Sequence, residues 1–228
     1  MKADYLNGTD YTLIQPQDMY HFNSDTELLG RFMRLKKSDR VLDIGCGSGA
    51  LLLYAAHQKA SDLNGIDLFE EVLKQAESNL KRNGITAGLI CCRLQDFRSE
   101  RFDAIVCNPP YFRTGEDRLK NSSEMIRAAR HEEYLTPAEL FAGVRRLLKD
   151  NGRFYLVHRA SRLKELLAES ERNGLQAVRM RIAYGSVQGR ARSVLIEFRH
   201  GSGRELLIER PVFLDQRETF ADEGEKKK

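Results

Sequence analysis

Asp39-Arg40-Val41-Leu42-Asp43-Ile44-Gly45-Cys46-Gly47-Ser48-Gly49-Ala50 is the stretch from which the fold is read. A short apolar run at 39–44 ends in a glycine cluster, and Leu51-Leu52-Leu53-Tyr54-Ala55-Ala56 follows, rich in helix formers. Strand, glycine turn, helix is the simplest parse. Small residues at Gly45-x-Gly47-x-x-Ala50 let the backbone approach a ligand, and N–H groups at a helix start favour anionic groups, so the turn suits a nucleotide. By itself that is weak, because a dinucleotide dehydrogenase carries the same turn.

Outward from this unit the alternation continues. Residues 62–67 read as a second strand, Glu70 to Asn83 as a helix ended by Gly84, and Leu89 to Cys92 and Phe102 to Cys107 as further strands. Thr136-Pro137-Ala138-Glu139 carries a capping box with proline at the first helical position, opening a helix expected to run to Asn151-Gly152. Phe154 to His158 is the next strand and Ser161 to Asn173 the next helix. Val178 to Tyr184 and Arg192 to Phe198 close the domain as an antiparallel hairpin. Strands alternating with helices predict an α/β, doubly wound, mostly parallel sheet of seven strands. Residues 1–38 are expected to form an element covering cofactor or substrate, 39–214 the catalytic domain, and 215–228 a charged mobile tail. The long connection from Asn108 to Leu135 lies beside a sheet edge and is expected to be functional.

Composition narrows the class. With 228 residues, 41% hydrophobic and 31% charged, the chain is an ordinary globular one, and no run approaches the ~20 apolar residues of a membrane span. The opening Met1-Lys2-Ala3-Asp4-Tyr5 lacks a signal-peptide core, so a cytoplasmic protein is expected. Cys46, Cys91, Cys92 and Cys107 have no C-x-x-C spacing and read as reduced thiols, and no metal site is expected. The net charge of +4 is uneven: residues 113–210 hold 20 Lys and Arg against 13 Asp and Glu, whereas residues 1–112 hold 13 against 15. A basic half suits a polyanion, and equally a solvated arginine-rich surface.

Asp67 falls 18 residues after Gly49 at the end of the second strand, where a carboxylate can accept bonds from both ribose hydroxyls. Asn108-Pro109-Pro110-Tyr111 directly follows the strand ending at Cys107, and it carries the chemistry. An amino group conjugated to a ring or carbonyl is a poor nucleophile because its lone pair is delocalised. The Asn108 side-chain oxygen and the Pro109 carbonyl can each accept one of its N–H bonds, holding the lone pair toward an electrophilic methyl group. The prolines stiffen both acceptors, and Tyr111 offers a stacking face.

Asp43 to Gly49 together with Asn108 to Tyr111 resembles the class I S-adenosylmethionine-dependent N-methyltransferases, whose fold is Rossmann-like. Tyr11 to Leu29, Ala129-Arg130-His131-Glu132, Val157-His158-Arg159 and Val194-Leu195-Ile196-Glu197 are similar to the bacterial tRNA1(Val) adenine-37 N6-methyltransferase family, over about residues 5–214. The resemblance implies that Gly45, Gly47 and Gly49 border the methionine moiety, Asp67 binds the ribose and Asp96 faces the adenine amino group. It also sets Phe22, Asp25, Thr26, Asp43, Cys46, Leu68, Phe97 and Asn108 beside the cofactor, with Asn108, Pro109, Pro110 and Tyr111 on the target base. Asp96 also suits a helix cap or a turn, and Ser24-x-x-Glu27 is a capping box in its own right, so Asp25 and Thr26 are equally a helix start. Phe22 suits the core as well as a cofactor cover.

The expected activity is methylation of adenine N6 in tRNA by a monomer, with S-adenosyl-L-methionine as cofactor. Arg113, Arg118, Lys120, Arg127 and Arg130 are the expected phosphate contacts. A protein-glutamine N5-methyltransferase is the nearest rival, since an amide offers a similar planar NH2. Only Met1 to Lys37 precede the first core strand here, where that group carries a sizeable helical domain. Further rivals are an rRNA guanine-N2 methyltransferase, a dinucleotide oxidoreductase, and an RNA-binding module with a relict cofactor fold.

Overall fold

The computed structural model describes residues 3–15, 24–109, 135–201 and 203–215. A short antiparallel hairpin, β1 (Ala3–Tyr5) and β2 (Thr12–Ile14), precedes helix α1 (Ser24–Phe32). The alternating part then runs β3 (Arg40–Ile44), α2 (Ala50–His57), β4 (Asp62–Asp67), α3 (Glu70–Arg82), β5 (Gly88–Cys91) and β6 (Phe102–Cys107). It continues with α4 (Pro137–Leu147), β7 (Leu148–Arg159), a 3-10 turn (Ala160–Arg162), α5 (Leu163–Arg172), β8 (Leu175–Tyr184) and β9 (Ala191–His200). Two short strands end it, β10 (Leu207–Ile208) and β11 (Val212–Phe213).

The main sheet has the order β10-β8-β9-β7-β6-β3-β4-β5, with β11 also on β8. From β5 to β7 every pairing is parallel, and β9 is antiparallel to both β7 and β8. The seven expected strands are thus present with their closing hairpin, and β10 and β11 extend the sheet alongside β8. Both are two residues long, too short for periodicity to reveal.

Alternation along the central strands divides the core in two. Val41, Ala104, Val106, Tyr155 and Val157 point to one face and Leu42, Ile44, Ile105, Cys107, Phe154 and Leu156 to the other. Such a run looks continuously apolar because both faces of a parallel sheet are covered. α1 and α2 cover the first face, with Leu28, Leu29 and Phe32 packed beside the α2 leucines. α4 and α5 cover the second through Leu140, Phe141, Val144, Leu147 and Leu166. Leu6 and Leu13 bring the N-terminal hairpin into the first core.

One boundary differs from expectation. The Thr136 capping box forms as read, with its hydroxyl accepting from the Glu139 N–H and the Glu139 carboxylate accepting from the Thr136 N–H. The helix, however, stops at Leu147 rather than at Asn151-Gly152. Leu148 pairs with Phe102 in the sheet, so ladder formation captures the chain before the turn residues are reached. Likewise, residues 160–162 form a tighter 3-10 turn ahead of α5. All four cysteines are free, and among the described residues no helix is long and apolar enough to cross a membrane.

Candidate active site

Sheet register gathers the site. Ile44 at the end of β3 pairs with Ile66 of β4 on one side and Cys107 of β6 on the other. The next residues of the three strands, Gly45, Asp67 and Asn108, therefore emerge side by side at the carboxyl edge, where ligands bind in open α/β sheets.

The turn after β3 is held from beneath, since the N–H groups of Gly45 and Cys46 both donate to the Ile66 carbonyl at 2.9 and 3.0 Å. Gly45 and Gly47 have φ of 70° and 53°, the left-handed region that favours glycine, and a Cβ built at either would meet nothing within 4 Å among the described residues. Backbone geometry thus favours glycine at both, and no described residue fills the space above them. Gly49 also has positive φ and caps α2. Cys46 turns into the core, where its thiol touches the space a side chain at Gly65 would need. Burial raises that thiol well above its usual value, so Cys46 is a packing group rather than a nucleophile.

Asp67 is half-buried and organises the loop. Its Oδ2 accepts the Gly47 N–H at 3.0 Å and its Oδ1 accepts the Leu68 N–H at 2.7 Å and the Phe69 N–H at 3.3 Å. Burial raises its pKa, and these three N–H bonds oppose the rise. Asp43, on the same edge, is fully buried, and neither carboxylate oxygen has a hydrogen-bond partner among the described residues. Burial first, and the nearby Asp67 second, raise its pKa well above the ordinary carboxylate range. Two acids thus lie close together beside the glycine turn, one fully buried and one half-buried.

At β6 the Asn108 side chain is half-buried, and its Nδ2 donates to Thr26 Oγ1 at 2.8 Å. Pro109, the next residue, is buried. Thr26 reaches this point because Asp25, its neighbour on α1, accepts the Ser193 hydroxyl of β9 at 2.6 Å, both residues being buried. Glu27, the second residue of the Ser24-x-x-Glu27 signature, accepts the Asn7 amide N–H at its Oε2 and pairs with Arg31 through Oε1.

Leu68 is half-buried, and its carbonyl accepts from the Cys91 thiol. Asp96 is exposed on a turn whose N–H groups of Asp96 and Phe97 both donate to the Arg93 carbonyl. The Phe97 ring points inward, stacked on Phe102 with centroids 6.3 Å apart, so it belongs to the core. Phe22, Pro110, Tyr111, Arg113, Arg118, Lys120, Arg127 and Arg130 lie outside the described residues. Two groups were missed by the sequence. Ser193 sits 168 positions from Asp25, and no local signal marks it. Asn79 of α3 is buried, accepts the Ile14 N–H through Oδ1, and donates from Nδ2 to the Ile14 and Ser48 carbonyls, tying hairpin and glycine turn to one helix.

Comparison with known proteins gives the same outline. The family model of the methyltransferase small domain matches residues 19–178. A tRNA1(Val) (adenine(37)-N6)-methyltransferase of Bacteroides fragilis is 31% identical over 166 residues, covering 69% of this chain and 68% of that protein. A protein of the same description from Phocaeicola vulgatus is 28% identical over 203 residues, covering 87% and 85%. Among solved structures, the ribosomal protein L11 methylase of Lactobacillus delbrueckii subsp. bulgaricus matches 78% of each chain with a TM-score of 0.58 at 20% identity, a likeness of fold.

Proposed function

This chain belongs to the methyltransferase small domain family and to the family of the tRNA1(Val) (adenine(37)-N6)-methyltransferases, and from that premise we propose that it methylates the N6 amino group of adenine 37 in tRNA. The observation that carries the proposal is the emergence of Gly45, Asp67 and Asn108 from three neighbouring strands at one sheet edge. A cofactor-binding turn and an amino-group acceptor are then side by side at that edge.

The residues present fit S-adenosyl-L-methionine. The space over Gly45 and Gly47, which no described residue fills, admits its backbone-hugging part, Asp67 suits the ribose diol, and the orphaned carboxyl of Asp43 suits its positive charge. When bound, that cofactor supplies an activated methyl group on a cationic sulfur. The chain's own residues then bind and orient the nucleophile. Asn108 Oδ1 and the Pro109 carbonyl accept the two N–H bonds of the target amino group, which localises its lone pair, and Tyr111 stacks on the base. An adenine beside the anticodon is already in a loop, so turning it out of the stack costs little. Arg113, Arg118, Lys120, Arg127 and Arg130 supply phosphate contacts outside the pocket, and the enzyme works in the cytoplasm with its tRNA.

Incubation with labelled S-adenosylmethionine and total tRNA from a strain lacking the enzyme tests this directly. N6-methyladenosine at one anticodon-loop adenosine is expected. Label in guanine, or in glutamine of a protein substrate, would replace the assignment.

A further inference from the structure

We propose that Thr26 is a positioning residue for Asn108, anchoring the NH2 end of its amide so that the oxygen lies on the branch offered to the target amino group. The proposal rests on the methyltransferase function and goes beyond it.

A carboxamide has two ends of similar size and opposite sense, an NH2 that donates and an oxygen that accepts. Only the oxygen can receive an N–H bond from an amino group, and an amide turned end for end sets a donor against a donor. The terminal torsion of asparagine is broad and roughly two-fold, so the side chain's own preferences do not choose between the two. In this structure the amide is anchored at its NH2 end by a neighbouring hydroxyl. Nδ2 of Asn108 donates to Thr26 Oγ1 at 2.8 Å across 82 positions of chain, which carries Oδ1 onto the other branch of the amide.

Thr26 is suited to the task because it does not move freely. It is buried in the first turn of α1, a helix anchored in the core by Leu28, Leu29 and Phe32. Beside it Asp25 accepts the Ser193 hydroxyl at 2.6 Å, which fastens that turn to β9. β9 is paired to β7, and β7 to β6, the strand that delivers Asn108. Helix, hydroxyl and amide are thereby referenced to one sheet, the kind of rigid support a small catalytic constellation needs. This gives α1 a use in the chemistry through Asn108, where the family resemblance suggests a contact with the cofactor.

Thr26→Val removes the hydroxyl at nearly constant shape, and Thr26→Ser keeps it; Thr26→Ala stands in should the valine variant not fold. The first measurement involves no turnover. In 15N-labelled protein the Asn108 side-chain NH2 pair is assigned by its loss in Asn108→Ala. Thr26→Val is expected to shift that pair and speed its hydrogen exchange, with Thr26→Ser close to wild type. An unmoved pair overturns the proposal whether or not the protein methylates RNA. In the second measurement kcat on tRNA is expected to fall about tenfold in Thr26→Val, with KM and cofactor affinity within about twofold and most of the rate restored in Thr26→Ser. A wild-type kcat in Thr26→Val also overturns it. Absence of methyl transfer by the wild type contradicts the proposed function instead, and the amide signal still decides the role of Thr26.

Discussion

The Asp67 carboxylate accepts the backbone N–H of Gly47 at 3.0 Å, so the residue suited to the ribose also shapes the glycine turn. Replacing it removes a ligand contact and loosens the cradle together. Asp67→Ala is expected to weaken S-adenosylmethionine binding by roughly 1–3 kcal/mol, measured by calorimetry, with no gain of NADH affinity.

Asp43 gives the opposite balance. A buried carboxyl without a hydrogen-bond partner among the described residues and with a raised pKa destabilises the ligand-free fold near neutral pH. Its stability contribution is full below the unfolded carboxyl value and is lost as pH rises through the raised folded value. Asp43→Asn, which cannot ionise, should raise the melting temperature of the free protein at pH 8 and narrow its difference from wild type at pH 5. Cofactor affinity should fall in the same variant. A lower melting temperature at pH 8 would refute the assigned cost.

What the sequence revealed and what it hid follow a physical line. The turn at Gly45 to Gly49, the strand before Asn108 and the Thr136 capping box are local: spacing, turn chemistry and period-two burial mark them within a few residues. The end of α4 was misjudged because Leu148 has two competing uses, and its partner Phe102 lies far back in the chain. Thr26 on Asn108, Asp25 on Ser193 and Asn79 on Ser48 are side-chain contacts between distant segments, and no periodicity encodes them. Phe97 illustrates the limit of adjacency: next to Asp96 in sequence, it turns into the opposite environment.

Asn79 should matter to stability more than its surface-like composition suggests. Its amide satisfies three backbone groups of β2 and the glycine turn. Asn79→Leu leaves the Ile14 N–H and the Ser48 carbonyl without this buried partner, while Gln75 still reaches the Ile14 carbonyl, and chemical denaturation should read a loss of about 1–3 kcal/mol. An unchanged midpoint would show the hairpin to be held without Asn79, by Leu6, Leu13 and the bonds from Asn83 and Gln75.

His158 predicts an acid sensitivity. Burial, then the nearby Arg162, lowers its pKa from 6.5 to about 4, while its Nδ1 accepts the Arg159 N–H. The unfolded chain therefore binds the proton more readily. Stability from this group is complete above about pH 6.5 and declines as pH falls toward 4, by up to about 3 kcal/mol. In His158→Asn the slope of unfolding free energy against pH over that window should flatten; an identical slope would remove His158 from the account.

The central claim is that Asn108 acts on the attacking amino group and not on the cofactor. The direct measurement is single-turnover methyl transfer to tRNA by Asn108→Ala, with cofactor affinity determined on the same preparation. A fall of about two orders of magnitude or more in rate, with S-adenosylmethionine affinity nearly intact, is predicted from the loss of one positioned hydrogen-bond partner in the transition state. Methylation at the wild-type rate would contradict it.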